Sequence, residues 1–311
     1  MISEHLQGLI AAPFTPMHED GSVNLTMIPD YYNFLKENGV KGAFICGSTG
    51  EGVSLTLNEK KLVAEAWANV NIDDDFKVIT LVGGTCLEDC KELAKHAQTI
   101  GLYAIAFTSP SYFNPADVGL LADCCKTVAD VIPAMPFYYY HIPVLTGGNY
   151  SMYELLKAVD NKIDNFVGIK YTHEDLMDFL ACTQYDHKKF DMLWGRDECM
   201  LAALATGAKG AVGSTFNYAA PLYNELIRAF NAGNLELAQT LQQESISMID
   251  LLGKYGGIAT GKAFMKLVGI DCGKFRLPVR NMSDSQFAFF EKDVETLNFQ
   301  GYCSKQSALK A

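Results

Sequence analysis

Eight short apolar runs recur along this chain, each separated from the next by a segment of helical spacing. They are GLIAAPF (8–14), GAFICG (42–47), KVITLVGG (77–84), YAIAFTSP (103–110), PAMPFYYYHIP (133–143), FVGIKYT (166–172), FDMLWG (190–195) and GAVGST (210–215). Most close on Gly, Ser, Thr or Pro, as a strand entering a loop does. The spacers read as amphipathic helices. In one of them Leu62, Val63, Ala66, Trp67 and Val70 form an apolar face, with Glu59, Lys60, Lys61 and Glu65 elsewhere. Eight strands alternating with helices predict a parallel (β/α)8 TIM barrel, an α/β fold that needs about 250 residues. An open doubly wound sheet is the alternative. Beyond residue 215 the pattern is helical throughout, with no low-complexity linker. The expected organisation is therefore a barrel over 1–220 and a C-terminal helical extension over 221–311, packed on the barrel as a single structural unit.

Composition narrows the function. The chain has 311 residues, 49% of them hydrophobic and 20% charged, which is ordinary for a globular protein with a large core. A formal charge of −11 argues against a nucleic-acid partner, which demands clustered Lys and Arg. It does not exclude a small anionic substrate, because a few oriented amides hold one carboxylate whatever the global charge. The nine cysteines are scattered without a C-x-x-C pair, and the six histidines show no H-x-x-x-H spacing, so no metal site is expected. The thiols suit a reducing cytosol. The N-terminal MISEHLQGLIAAPF lacks the basic and apolar regions of a leader, and no run approaches the ~18 apolar residues of a membrane span. A soluble, cytoplasmic protein is expected.

In such barrels chemistry gathers where strands end. The polar residues closing these runs are Ser48, Thr49, Tyr112, Tyr138 to Tyr140, Lys170, Thr172, Asp197, Glu198 and Ser214. Alternation along FVGIK places Phe166, Gly168 and Lys170 on one face and Val167 and Ile169 on the other. If the β-branched pair meets the helices, Lys170 points into the barrel mouth. A desolvated amine there loses its charge readily and becomes a nucleophile toward a ketone; the same position also suits a lysine reaching out to solvent. Tyr140, ending the preceding strand, can shuttle a proton, or it caps the barrel as Tyr138 and Tyr139 are expected to fill it. GSTGEG (47–52) offers backbone N–H groups and two hydroxyls to an anion, or is a plain glycine-rich turn. Asp197 and Glu198 can accept hydrogen bonds from a polyol, or lie in a solvated loop. His141 is open between a supporting role and packing; His96 and His187 read as helix-surface residues.

Taken in order, GSTGEG, YYYHIP, GIK, GRDE and GST resemble the N-acetylneuraminate lyase / dihydrodipicolinate synthase family, from about residue 8 to at least residue 280. The resemblance implies a barrel lysine, here Lys170, forming a Schiff base with pyruvate or a 2-keto acid. It implies Tyr140 as the catalytic tyrosine and Ser48 and Thr49 as the hydroxyls holding the keto-acid carboxylate. Tyr112, in the looser match SPSYFNP, resembles a proton-relay tyrosine near a subunit contact, and a homotetramer is the family's expectation. The synthases of the family usually carry x-P-x-R-T-G after the tyrosine, with an arginine for a second carboxylate. This chain has Leu145 there, which cannot make that contact. PFYYYHIPVLTG and GRDE resemble the neuraminate-cleaving branch. There the Asp197–Glu198 pair would hold the glycerol-like tail of sialic acid, and Thr172, Gly195 and Ser214 would contact the sugar; Tyr171 after Lys170 is a departure. The activity implied is a class I aldolase reversibly cleaving N-acetylneuraminate to N-acetylmannosamine and pyruvate, without metal or organic cofactor. Rival readings are another pyruvate-dependent aldolase or synthase of the family, acting on aspartate semialdehyde or a 2-keto-3-deoxy sugar acid, and a non-catalytic keto-acid-binding relative.

Overall fold

All eight apolar runs contain a strand: β1 (Gly8–Ala11), β2 (Gly42–Ile45), β3 (Lys77–Leu81), β4 (Ala104–Thr108), β5 (Phe137–His141), β6 (Phe166–Tyr171), β7 (Asp191–Trp194) and β8 (Gly210–Gly213). The computed structural model describes residues 5–70 and 75–306; residues 1–4, the start of the stretch read for a leader, lie outside them. Each strand pairs in parallel with the next, and β1 pairs with β8, Gly8 opposite Gly210. That last pairing closes the sheet and excludes the open alternative. A closed parallel sheet turns one face to its own interior and the other to helices, so neither meets water. Hence the runs read as mostly apolar. Ile10, Phe44, Ile79, Ala106, Leu193 and Val212 fill the interior. Leu9, Ile45, Val78, Phe107, Tyr139 and Trp194 face the helical layer.

The helices form where an apolar stripe and a cap coincide. Met152–Val159 buries Met152, Leu155, Leu156 and Val159, and the Ser151 hydroxyl caps it by accepting from the Glu154 N–H. The helix Leu57–Val70 buries Val63, Ala64 and Trp67. Leu62, expected on that face, is instead 38% exposed, and Ala64 occupies the buried stripe.

Alternation also fails once in β6. The register between β5 and β6 shifts at Phe137/Tyr138, opposite Phe166 and Gly168. Phe166 joins the outer core while Val167 packs against the interior cluster, the reverse of the expected faces. Beyond the irregularity Ile169 and Tyr171 point outward, so Lys170 still points in.

After β8 come the helices Phe216–Asn231, Leu235–Tyr255, Ala259–Leu267, Asp284–Glu295 and Phe299–Tyr302. Leu235–Tyr255 packs along Phe216–Asn231. Phe264 ties these helices together, stacking on Tyr218 of Phe216–Asn231 with ring centroids 4.7 Å apart and meeting Phe290 and Phe299. Among the described residues no helix is long and apolar enough to cross a membrane.

Candidate active site

Lys170 is directly opposite Tyr140 in the β5–β6 ladder. Its side chain is 4% exposed, and Nζ lies 3.9 Å from the centroid of the Phe44 ring and 4.0 Å from that of Tyr140. Phe44 and Tyr140 themselves meet edge to face, 5.4 Å between centroids. Burial in this aromatic slot lowers the Lys170 pKa to about 7, against the opposing pull of the Asp197 carboxylate. A lysine reaching to solvent is thereby excluded. Burial raises the Tyr140 phenol, the Ser48 and Thr172 hydroxyls pull it back down, and Asp197 raises it again. The phenol is therefore protonated at rest.

The loop after β2 carries Ser48 and Thr49, Thr49 buried and Ser48 half-buried, with the Ser48 hydroxyl reaching the Tyr140 phenol. Thr172 follows β6, its backbone N–H donating to His141 O at 2.8 Å, while its buried Oγ1, close to the Tyr140 phenol, makes no hydrogen bond of good geometry. An incompletely satisfied buried hydroxyl is costly unless something supplies a partner. Gly195 makes room for it: a Cβ there would lie 1.9 Å from Thr172 Oγ1.

Asp197 and Glu198, adjacent in sequence, part company in space. Asp197 is buried, its Oδ2 accepting from the Thr215 N–H at 2.9 Å and the Thr215 hydroxyl at 2.6 Å. Burial raises its pKa to about 6, opposed by Thr215. Gly213 is what admits this carboxylate, since a Cβ there would lie 2.2 Å from Asp197 Oδ1. Tyr223 Oη sits 2.7 Å from Thr215 Oγ1 and 2.7 Å from Ser245 Oγ, so the C-terminal helices back the site. Glu198 lies at the rim, ion-paired to Arg196 at 2.9 Å, and Arg196 also pairs with Glu174 at 2.5 Å. Ser214 is half-buried beside Thr215. Thr215 escaped the sequence reading, although GST (213–215) offered it next to the serine that was chosen.

Three expected residues stand apart. Tyr112 is 83% exposed and meets Phe113 edge to face at 5.0 Å; it does not reach Lys170 within one chain. Leu145 is exposed on the short helix Pro143–Thr146. His141 points outward among Tyr139, Tyr171 and His173, and burial lowers its pKa to about 4. Tyr138 fills the barrel as expected, but its hydroxyl also donates to Asp191 Oδ2 at 2.8 Å. Among the described residues no three His, Cys, Asp or Glu side chains converge as metal ligands.

A buried amine at a barrel mouth, its charge disfavoured by desolvation and a phenol beside it, is the arrangement an imine-forming enzyme requires. The chain belongs to the dihydrodipicolinate synthetase family, whose profile matches residues 5–297. It is 40% identical over 301 residues to N-acetylneuraminate lyase of Rattus norvegicus and 41% identical over 301 residues to that of Homo sapiens. Each alignment covers 96% of this chain and 94% of the relative. The structure of Proteus mirabilis N-acetylneuraminate lyase superposes with a TM-score of 0.92 at 39% identity, over 95% of this chain and 100% of that one. A dihydrodipicolinate synthase from Bacillus anthracis superposes with a TM-score of 0.87 at 25% identity, over 94% and 98%.

Proposed function

We propose that this protein is a class I aldolase that cleaves N-acetylneuraminate reversibly to N-acetylmannosamine and pyruvate. The observation that carries the reading is Lys170: buried, titrating near neutrality, and 4.0 Å from the Tyr140 ring. The neutral amine attacks the C2 ketone. The Tyr140 phenol gives its proton to the carbinolamine hydroxyl, which leaves as water, and an iminium remains. That fixed positive charge beside the phenol favours the phenolate just formed. Tyr140, directly or through the substrate carboxylate, then takes the C4 hydroxyl proton. The C3–C4 bond breaks, its electrons enter the iminium, and N-acetylmannosamine departs. Protonation and hydrolysis of the enamine release pyruvate and restore Lys170. The iminium is itself the electron sink, so the proposed chemistry draws on no cofactor.

Ser48 and Thr49 hold the keto-acid carboxylate in this reading, and Thr172, Gly195, Asp197, Glu198 and Ser214 contact the sugar. Thr172 Oγ1, buried, incompletely satisfied and beside the Tyr140 phenol, supports that role. Tyr112 relays a proton only if a neighbouring subunit receives it; its exposure with Phe113, Val144 and Leu145 suits the homotetramer proposed here. Nine unpaired thiols suit a cytoplasmic location. The apolar Leu145 favours a sugar substrate over one with a second carboxylate.

Incubation with N-acetylneuraminate, with pyruvate release as readout, tests the activity. Borohydride reduction in the presence of pyruvate, followed by mass mapping, tests the nucleophile. Turnover of aspartate semialdehyde comparable with N-acetylneuraminate cleavage, or an adduct on another lysine, overturns the reading.

A further inference from the structure

The loop that carries Ser48 and Thr49 is anchored from far along the chain. Glu51, in the same GSTGEG turn, has φ of +57°, a left-handed conformation that costs a residue with a side chain about 1–2 kcal/mol. Glu51 is nevertheless 4% exposed, with its carboxylate fully used. Oε1 accepts from Lys262 Nζ at 2.8 Å, and Oε2 accepts the Arg276 backbone N–H at 2.8 Å. Lys262, also 4% exposed, is on the helix Ala259–Leu267 and donates to Lys274 O at 3.0 Å. Arg276 donates from Nε to Gly21 O, from Nη1 to Ser54 O, and pairs its guanidinium with Glu59 at 2.5 Å. Inside the turn the Glu51 N–H donates to Ser48 O at 3.1 Å, and Gly52 N–H to Gly47 O at 3.0 Å. One hydrogen bond therefore separates the locked carboxylate's residue from the Ser48 backbone.

A buried ion pair is a poor source of stability, because desolvating both charges offsets most of their attraction. This barrel has a large apolar core and gains little from one. What the pair does supply is a fixed geometry for a strained turn whose Ser48 hydroxyl reaches Tyr140, the neighbour of the nucleophile. We infer that Glu51, locked by Lys262 and Arg276, is a positioning residue that presets the keto-acid carboxylate cradle at Ser48 and Thr49. The inference rests on the imine-forming reading of Lys170. It assigns the C-terminal extension a part in substrate binding.

The test is borohydride trapping at Lys170 as a function of pyruvate concentration, with pyruvamide, which lacks the carboxylate, in parallel. Glu51→Gln keeps the shape and removes the charge. It should raise half-saturating pyruvate about tenfold, the scale on which misplacing a binding group acts. The trapping rate at saturation and the pyruvamide response should stay within about twofold of wild type, because Lys170 is untouched. If Glu51→Gln fails to fold, Arg276→Ala serves, since it spares the backbone N–H given to Glu51 and removes only the outer anchors; a rise of about threefold is expected. An unchanged half-saturation for pyruvate in the folded variant, or an equal loss for pyruvate and pyruvamide, overturns the inference. Failure of the wild type itself to trap at Lys170 would instead remove the reading beneath it.

Discussion

Replacing Lys170 by methionine should abolish imine formation and stabilise the fold at once. Methionine is unbranched and flexible like lysine and only one atom shorter, so it fills most of the slot between Phe44 and Tyr140 without carrying a charge. The magnitude follows from a folded-state pKa of about 7 against roughly 10.4 in the unfolded chain. Between those values the unfolded chain binds a proton that the folded chain does not. Wild-type stability therefore rises with pH across that window, and the penalty is full below it. Linkage puts that penalty at about 4 kcal/mol near pH 7 and about 2 kcal/mol near pH 9. Lost cation–π attraction, on the order of 1–2 kcal/mol, offsets part of the gain. A net stabilisation of about 2–3 kcal/mol at neutral pH remains, or roughly 4–6 °C in Tm for a chain of this size. Urea and thermal unfolding of both proteins at neutral and alkaline pH measure it. A methionine variant less stable than wild type at neutral pH, or an advantage that grows as pH rises, would refute the argument from desolvation.

Three further outcomes follow from the site. Asp197→Asn keeps an acceptor for Thr215 and removes the charge that holds the Lys170 pKa up, so the pH profile of pyruvate trapping should move to lower pH; an alkaline shift contradicts the assignment. Glu198→Asn should reduce discrimination for N-acetylneuraminate over an analogue lacking the glycerol tail. A charged hydrogen bond is worth about 1.5–3 kcal/mol. Because Arg196 already engages Glu198, the expected loss in the kcat/KM ratio is near the low end, about tenfold, and an unchanged ratio leaves the pair a solvated rim. Gly195→Ala drives a methyl into Thr172 Oγ1, so sugar cleavage should fall at least about tenfold. Pyruvate trapping in that variant should fall far less, and equal losses in the two assays would deny Thr172 its sugar-contacting role.

How legible this was in the sequence depended on distance along the chain. The eight strands were readable because each is buried on both faces and so spells a mostly apolar word, broken only by a few polar residues such as Lys170 and Asp191. The inward direction of Lys170 was readable from Ile169 alone; the companion argument from Phe166 and Val167 failed, because a register irregularity depends on the neighbouring strand. Asp197 and Glu198 carry identical chemistry, and the sequence could not tell which would be drawn under the barrel mouth. That choice is made by Thr215 and by the missing side chain of Gly213. The Glu51–Lys262 pair lay wholly beyond pattern reading, its partners 211 residues apart.

Closure of the barrel by β1 and β8 has a consequence in time. Gly8 and its partner Gly210 are made about 200 residues apart, and translation proceeds at about 5–20 residues per second. On the ribosome β1 therefore waits roughly 10–40 s for the strand that completes it. Throughout that interval the growing sheet presents two unpaired parallel edges, apolar on both faces, which are templates for wrong pairing. A defect in β8 would thus be felt first as lost yield from aggregating nascent chains, before the chemistry at the barrel mouth was tested at all.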